Sequence, residues 1–148
     1  MKNNIYATPT PMEITLKFTI ADSISAQLTN KSILNKACVD NLIDIYADIH
    51  AVQDIFTEFK NRLHEFELHL HKSLITNDKT NFCQALHKIM GLSEQLGAER
   101  LSELILFLRK HHFTELVNNI EPICTFVENE NRLLKVEIDT VFRSEYAM

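Results

Sequence analysis

The stretch "VQDIFTEFKNRLHEFELHLHKSL", residues 52–74, decides the fold class of this 148-residue chain. Its apolar residues recur every three or four positions, as they do on one face of an α-helix. They are Val52, Ile55, Phe56, Phe59, Leu63, Phe66, Leu70 and Leu74. A long helix with a single apolar face has to bury that face against other elements, so the stretch predicts a packed helical domain.

Four other segments share the helical period, one before this stretch and three after it. They span residues 32–49, 79–96, 98–112 and 114–146. Asn77 or Asp78 is placed to cap the helix that follows, and Gly97 is placed to end it in a left-handed conformation. Pro122 either kinks the last helix or marks where its main part begins. Short connections between amphipathic helices predict an all-α fold, an antiparallel four-helix bundle with an extra N-terminal helix.

Residues 1–31 differ in pattern from this helical domain, residues 32–146, and are interpreted as an N-terminal extension. Within the extension, "EITLKFTI", residues 13–20, alternates apolar and polar side chains, which predicts an extended or β conformation. A lone strand needs a surface to cover it. Its apolar side either packs along the bundle, or pairs with a partner's sheet edge or with a second copy, giving a dimer through residues 13–20.

Composition narrows the class of protein. Hydrophobic residues make up 45% of the chain and charged residues 24%, as in an ordinary globular domain. The net charge of −5 argues against a nucleic-acid partner, which would favour a basic surface. The apolar runs are too short to span a bilayer, and the first residues lack the apolar core of a signal peptide. We therefore expect a cytoplasmic protein with neither a membrane nor a nucleic acid as its partner.

Both glycines of the chain lie in "QALHKIMGLSEQLGAERL", residues 84–101, downstream of His87. On a helical wheel, His87 points away from the apolar stripe, and Gly91 lies one turn further along the same exposed side. That stripe comprises Phe82, Leu86, Ile89, Ser93 and Leu96. A glycine inside a helix costs about 1 kcal/mol relative to alanine. Its missing side chain clears space beside the imidazole, so something large can approach His87 closely.

The same stretch resembles the signature of histidine-containing phosphotransfer (HPt) domains, roughly His-x-Leu-Lys-Gly-Ser-Ser-x-x-x-Gly. The matching positions are His87, Ile89, Gly91, Ser93 and Gly97. The long helix before the motif and the helices after it also follow the order found in that family. The resemblance covers residues 37–142.

The resemblance implies a role in a multistep phosphorelay. His87 would accept a phosphoryl group from an aspartyl phosphate on a receiver domain and pass it to another receiver, while Gly91 lets the receiver dock closely. The implied partners are the receiver domains of a hybrid sensor kinase and of a response regulator. The chain would be a carrier and not an enzyme, with no cofactor or metal of its own, since Mg²⁺ belongs to the receiver. The residues expected to support or dock the partner are Gln84, Lys88, Met90 and Gly91.

Two positions depart from the family pattern. The family has a lysine three residues after the histidine, where this chain has Met90, and a small residue where it has Leu92. Lys88, directly after His87, is a partial candidate to supply the missing cation. Met90 and Leu92 either cover the edge of the core or form an apolar docking patch. The alternative function is therefore a degenerate HPt-like binding module that docks a receiver or another protein without phosphotransfer.

Two pairs of metal-binding side chains stand at helical spacing. Cys83 and His87 stand one helical turn apart, as two zinc ligands can, but no further ligand follows at a typical spacing. His64 and His71 lie two turns apart with Glu67 between them, which is more typical of the solvated flank of an amphipathic helix. We expect no metal site in this chain.

Overall fold

The structure, a computed structural model, describes residue 20 and residues 22–145. The helices are α1 (residues 22–28), α2 (Lys36–Tyr46), α3 (Ile49–Ile75), α4 (Lys79–Gln95), α5 (Glu99–Lys110), α6 (Phe113–Val117) and α7 (Ile120–Glu145). No β-strand occurs in this part of the chain. The predicted all-α fold is confirmed.

Four of the helices form the bundle. Helix α3 packs against α4 and α7, and α5 closes the ring by packing against α4 and α7 in turn. Helix α2, the predicted extra N-terminal helix, packs on α3, and the short α6 connects α5 to α7. Among the described helices, none is long and apolar enough to cross a membrane.

Helix α3 is the longest element, and it forms where the apolar period is cleanest. Asp48 caps its start by accepting hydrogen bonds from the backbone N–H groups of His50 (2.9 Å) and Ala51 (3.4 Å). The predicted apolar stripe is buried, apart from Ile55, which is half-buried. The ring of Phe56 meets that of Phe142 on α7 edge to face, with centroids 5.3 Å apart. Each buried apolar side chain of this kind stabilises the fold by roughly 1.5–3 kcal/mol.

Helix α4 begins and ends where its capping residues predict. The Asp78 side chain accepts a hydrogen bond from the Asn81 N–H at 3.0 Å, so Asp78 caps the helix, while Asn77 adopts a left-handed conformation before it. Gly97 has a φ of +81°, the left-handed conformation that ends the helix. These local signals fix both ends of the helix that carries His87.

Asn35, at the start of α2, joins that helix to the turn between α4 and α5. Its side chain accepts hydrogen bonds from the N–H groups of Ala37 and Cys38, and its own N–H donates to the Gly97 carbonyl at 2.8 Å. Its amide donates to Glu99 Oε2 at 2.7 Å, which holds the pKa of Glu99 below its usual value. A Cβ on Gly97 would lie 2.8 Å from the Cβ of Cys38. Glycine is therefore needed here for close approach as well as for its conformation.

The N-terminal extension contains a helix that the sequence analysis did not predict. Residues 13–19 of the predicted strand lie outside the described residues, but Ile20 is helical and buried. Ile20, Ile24 and Leu28 follow one another at a spacing of four and are all buried in the core. Ile20 fits both the two-residue period of a strand and the spacing of a helix, and its burial together with Ile24 and Leu28 fits the helix.

The last predicted helix is divided in two. Asn118 and Asn119 form a turn between α6 and α7, and Pro122 lies in the first turn of α7. Proline is tolerated there because the first N–H groups of a helix have no partner within it. The second of the two interpretations of Pro122, that it marks where the main part of the helix begins, is confirmed.

The two glycines should respond to alanine in opposite directions. Gly97→Ala should lower the free energy of unfolding by at least about 1 kcal/mol, because alanine is strained at positive φ and its Cβ would meet Cys38. Gly91→Ala should raise it by about 0.5–1 kcal/mol, because a Cβ there meets nothing within 4 Å and alanine favours a helix. Urea unfolding followed by circular dichroism measures both values. Shifts of the same sign in the two variants would contradict this account.

Candidate functional site

Helix α4 presents one exposed face around His87. Its buried side holds Phe82, Ala85, Leu86, Ile89, Met90 and Ser93. The opposite side, which we call the His87 face, consists of the exposed residues Thr80, Cys83, Gln84, His87, Lys88 and Gly91. The sequence-based prediction that His87 points away from the core is confirmed.

Gly91 has no internal packing role. An added Cβ would meet no atom within 4 Å, so open space surrounds this position. It lies inside α4 and four residues before the end of that helix, so it is not a cap. Within the described part of the chain, the imidazole of His87 makes no hydrogen bond or ion pair. An exposed imidazole and a stretch of helix backbone without a side chain therefore lie one turn apart.

Two depressions meet along the His87 face. The first has a volume of about 540 Å³ and is lined by Lys79, Thr80, Cys83, Gln84, His87 and Lys88. The second, which we call the α3–α4 cleft, has a volume of about 420 Å³ and is lined by His69, Lys72, Ser73, Thr76, Asp78, Asn81, Gln84, Ala85 and Lys88. Gln84 and Lys88 border both, so they form the ridge between His87 and the cleft.

Met90 does not share the His87 face. Its side chain is only 9% exposed and belongs to the hydrophobic core, while Leu92 is half-buried against that core. Of the predicted supporting residues, Gln84, Lys88 and Gly91 therefore lie together with His87, and Met90 does not. Its interpretation as part of a docking patch is corrected, because the side chain covers the edge of the core.

Ser93, which matches a serine of the family signature, is a structural residue here. It is fully buried, and its hydroxyl donates to the Met90 carbonyl at 2.9 Å. The hydroxyl of Ser102 on α5 lies 3.1 Å from it. The Ser93 hydroxyl is thus hydrogen-bonded inside the α4–α5 interface and is not available to a partner.

Lys72 is a neighbour of the site that the sequence pattern did not indicate. Lys72 lies in the last turn of α3 and is exposed. It lines the α3–α4 cleft opposite Lys88, with His69 one turn before it on the same helix. The positive charge of Lys72 was visible in the sequence, but its proximity to Lys88 depends on how α3 packs against α4.

Comparisons with known proteins do not assign a function to the His87 face. No protein-family model, no curated protein and no solved structure matches the chain. Among the described residues, no group of three or more His, Cys, Asp or Glu side chains is arranged to hold a metal ion. The geometry of α4 and its neighbours therefore carries the functional interpretation.

Two of the three cysteines offer a chemical test of this geometry. Cys83 is exposed on the His87 face, whereas Cys124 is buried, and burial raises the pKa of its thiol to about 11, with Glu121 and Glu128 adding to the shift. Iodoacetamide at neutral pH should therefore modify Cys83 at least tenfold faster than Cys124 in the folded protein, a rough estimate from thiolate availability and access. Peptide mass mapping measures both rates, and urea should remove the difference. Equal rates without urea would contradict the placement of Cys83.

Proposed function

We propose that this chain is a cytoplasmic phosphorelay intermediate. His87 accepts a phosphoryl group from an aspartyl phosphate on the receiver domain of a hybrid sensor kinase and passes it to the receiver of a response regulator. The observation that supports this most directly is Gly91, a helix-interior glycine beside the exposed His87, where an added Cβ would have open space. Approach of a large partner to the imidazole accounts for a residue that the fold itself does not need.

The proposed reaction requires from this chain an imidazole that a receiver can reach. A neutral imidazole nitrogen attacks phosphorus in line, a nitrogen–phosphorus bond forms, and the bond from phosphorus to the aspartate oxygen breaks. The aspartate leaves as a carboxylate, and the imidazole releases the proton of its other nitrogen to solvent. Mg²⁺ and the acidic residues that bind it come from the receiver. The chain is thus a carrier that presents a nucleophile and has no autonomous catalysis.

The shape of the His87 face suits close docking. The reacting nitrogen and phosphorus must come within about 3–3.5 Å of each other, which requires the partner's backbone to approach α4 closely. Gly91 leaves the backbone bare one turn beyond His87, and exposed Thr80 and Gln84 continue the same face toward the start of α4. Because the core holds α4 on its other side, the partner meets a rigid surface.

A second candidate function follows from Met90. Its buried side chain supplies no cation at the position where the family has a lysine, and a phosphoryl group carries roughly two negative charges. On this alternative, the chain binds a receiver or another protein through the same face without accepting phosphate. The two functions share a docking surface and differ in whether His87 is modified.

Phosphotransfer to His87 is the first test. Receiver domains from the source organism, labelled with radioactive acetyl phosphate, are mixed with the chain. We expect a label on the chain that is stable in alkali and labile in acid. His87→Gln should abolish it, because glutamine has no nucleophilic nitrogen. His64→Gln, which removes an exposed histidine of α3, is the matched control and should retain it.

The outcomes separate the two functions. Label that persists in His87→Gln, or a complete absence of both label and binding across the receivers, would rule out the proposal. A receiver that binds the wild type and His87→Gln equally well, but never transfers label, would favour the binding module.

Substitution of Gly91 tests docking without disturbing the core. Gly91→Leu should reduce the rate of phosphotransfer from a receiver by at least about tenfold, because a steric block that costs 1.4 kcal/mol of docking energy has that effect. Leucine is a good helix former and the position is open, so circular dichroism and the urea midpoint should not fall. Gly91→Ala is the control with a smaller side chain, and it should lower the phosphotransfer rate less than Gly91→Leu does. An unchanged rate in Gly91→Leu would remove the proposed reason for the glycine.

A further inference from the structure

A cation in this chain would stabilise the phosphoryl group that the proposed function puts on His87. It carries about 1.5 to 2 negative charges near neutral pH, and charge-assisted hydrogen bonds to a cation stabilise such a group. Position 90, where the family has a lysine, holds a methionine buried in the core. The lysines that line the two depressions beside His87 are Lys72, Lys79 and Lys88.

Among these lysines, Lys88 has the best position. It follows His87 directly, so its Cα is displaced by only about 1.5 Å along the helix axis and about 100° around it. It is exposed and lines the same depression as the imidazole. Its flexible four-carbon stem lets the ammonium group turn toward a group bound to its neighbour. Lys79 lines that depression too, but lies about 12 Å away along the axis.

The surroundings leave the ammonium group of Lys88 available. Within the described residues it makes no ion pair with a carboxylate. Among the described residues that line the α3–α4 cleft, Asp78 supplies the carboxylate. Its two oxygens already accept hydrogen bonds from Asn81, one from the backbone N–H at 3.0 Å and one from the side-chain amide at 2.6 Å.

Lys72 adds a second positive charge across the cleft from Lys88. A chain with a net charge of −5 thus gathers positive charge on the α3 side of His87. Lys88, which lines the same depression as His87, and Lys72, which lies across the cleft from Lys88, both favour an anionic group on this side of α4.

We infer that Lys88 binds the phosphoryl oxygens of phosphorylated His87 and so replaces the cation that position 90 does not supply. This inference rests on the proposed function. Lys88 donates hydrogen bonds and keeps its protons throughout, while the imidazole nitrogen forms the bond to phosphorus. Charge at the phosphoryl oxygens is stabilised as the group arrives, so Lys88 speeds the transfer and prolongs the phosphorylated state.

Phosphoramidate tests Lys88 without any receiver. The imidazole nitrogen attacks its phosphorus, the phosphorus–nitrogen bond of the donor breaks, and ammonia leaves. Peptide mass mapping and phosphorus NMR measure the rate at His87. We expect Lys88→Gln to slow that rate about threefold to tenfold, as the loss of one charged hydrogen bond at an exposed site would. Lys88→Arg should retain most of the rate, and added salt should slow the wild type more than Lys88→Gln.

Lys79→Gln is the matched control, because it removes a charge from the same depression at a greater distance from His87. Its rate should fall much less than that of Lys88→Gln, because about 12 Å of helix axis separates Lys79 from His87. A wild-type rate in Lys88→Gln, or an equal loss in Lys79→Gln and Lys88→Gln, would overturn the inference.

The test separates this inference from the proposed function. If receivers label His87 and Lys88→Gln is as fast as the wild type with both donors, the phosphorelay function stands and the role of Lys88 is wrong. If no receiver labels His87, the proposed function fails. In that case a slow Lys88→Gln with phosphoramidate would still show that Lys88 binds the phosphoryl group.

Discussion

The burial of one stripe of α4 determines where every other side chain of that helix points. Phe82, Leu86 and Ile89 are almost completely buried, and each contributes roughly 1.5–3 kcal/mol when removed from water. Rotating α4 by one residue would expose several of them, so the helix has a single stable orientation against α3 and α5. The direction of His87 follows from this packing, because it lies on the side opposite the stripe. The site is thus positioned by the core and not by contacts of its own.

The two glycines show how a structural role differs from a functional one. Gly97 has a left-handed backbone and lies against Cys38 and Asn35, so the fold requires a residue without a side chain there. Gly91 has open space around it and an ordinary helical conformation. A residue that lowers helix stability by about 1 kcal/mol and serves no internal contact is explained best by something outside the chain. This contrast supports an approaching partner more strongly than the exposure of His87 alone.

The charges around the site are distributed between two helices. Lys88 on α4 and Lys72 on α3 border the same cleft, while position 90 is apolar and buried. A cation at the exposed position 88 stays hydrated, whereas an ammonium group at the buried position 90 would be costly to desolvate. A partner with an acidic surface would meet these charges from the α3 side of His87.

The sequence by itself determined the helical class, the approximate bounds of α3, α4 and α5, the end of α4 at Gly97 and the outward direction of His87. It narrowed the cap of α4 to Asn77 or Asp78. Each of these depends on residues close together in the chain, through helical period and capping. Only the tertiary structure decided that Ile20 belongs to a helical stripe, that Met90 belongs to the core, and that Lys72 lies across a cleft from Lys88. Those facts depend on which segments pack together. Ile20 fits two periods, Met90 lies at the border of its stripe, and Lys72 and Lys88 are separated by a turn, so local sequence does not resolve them.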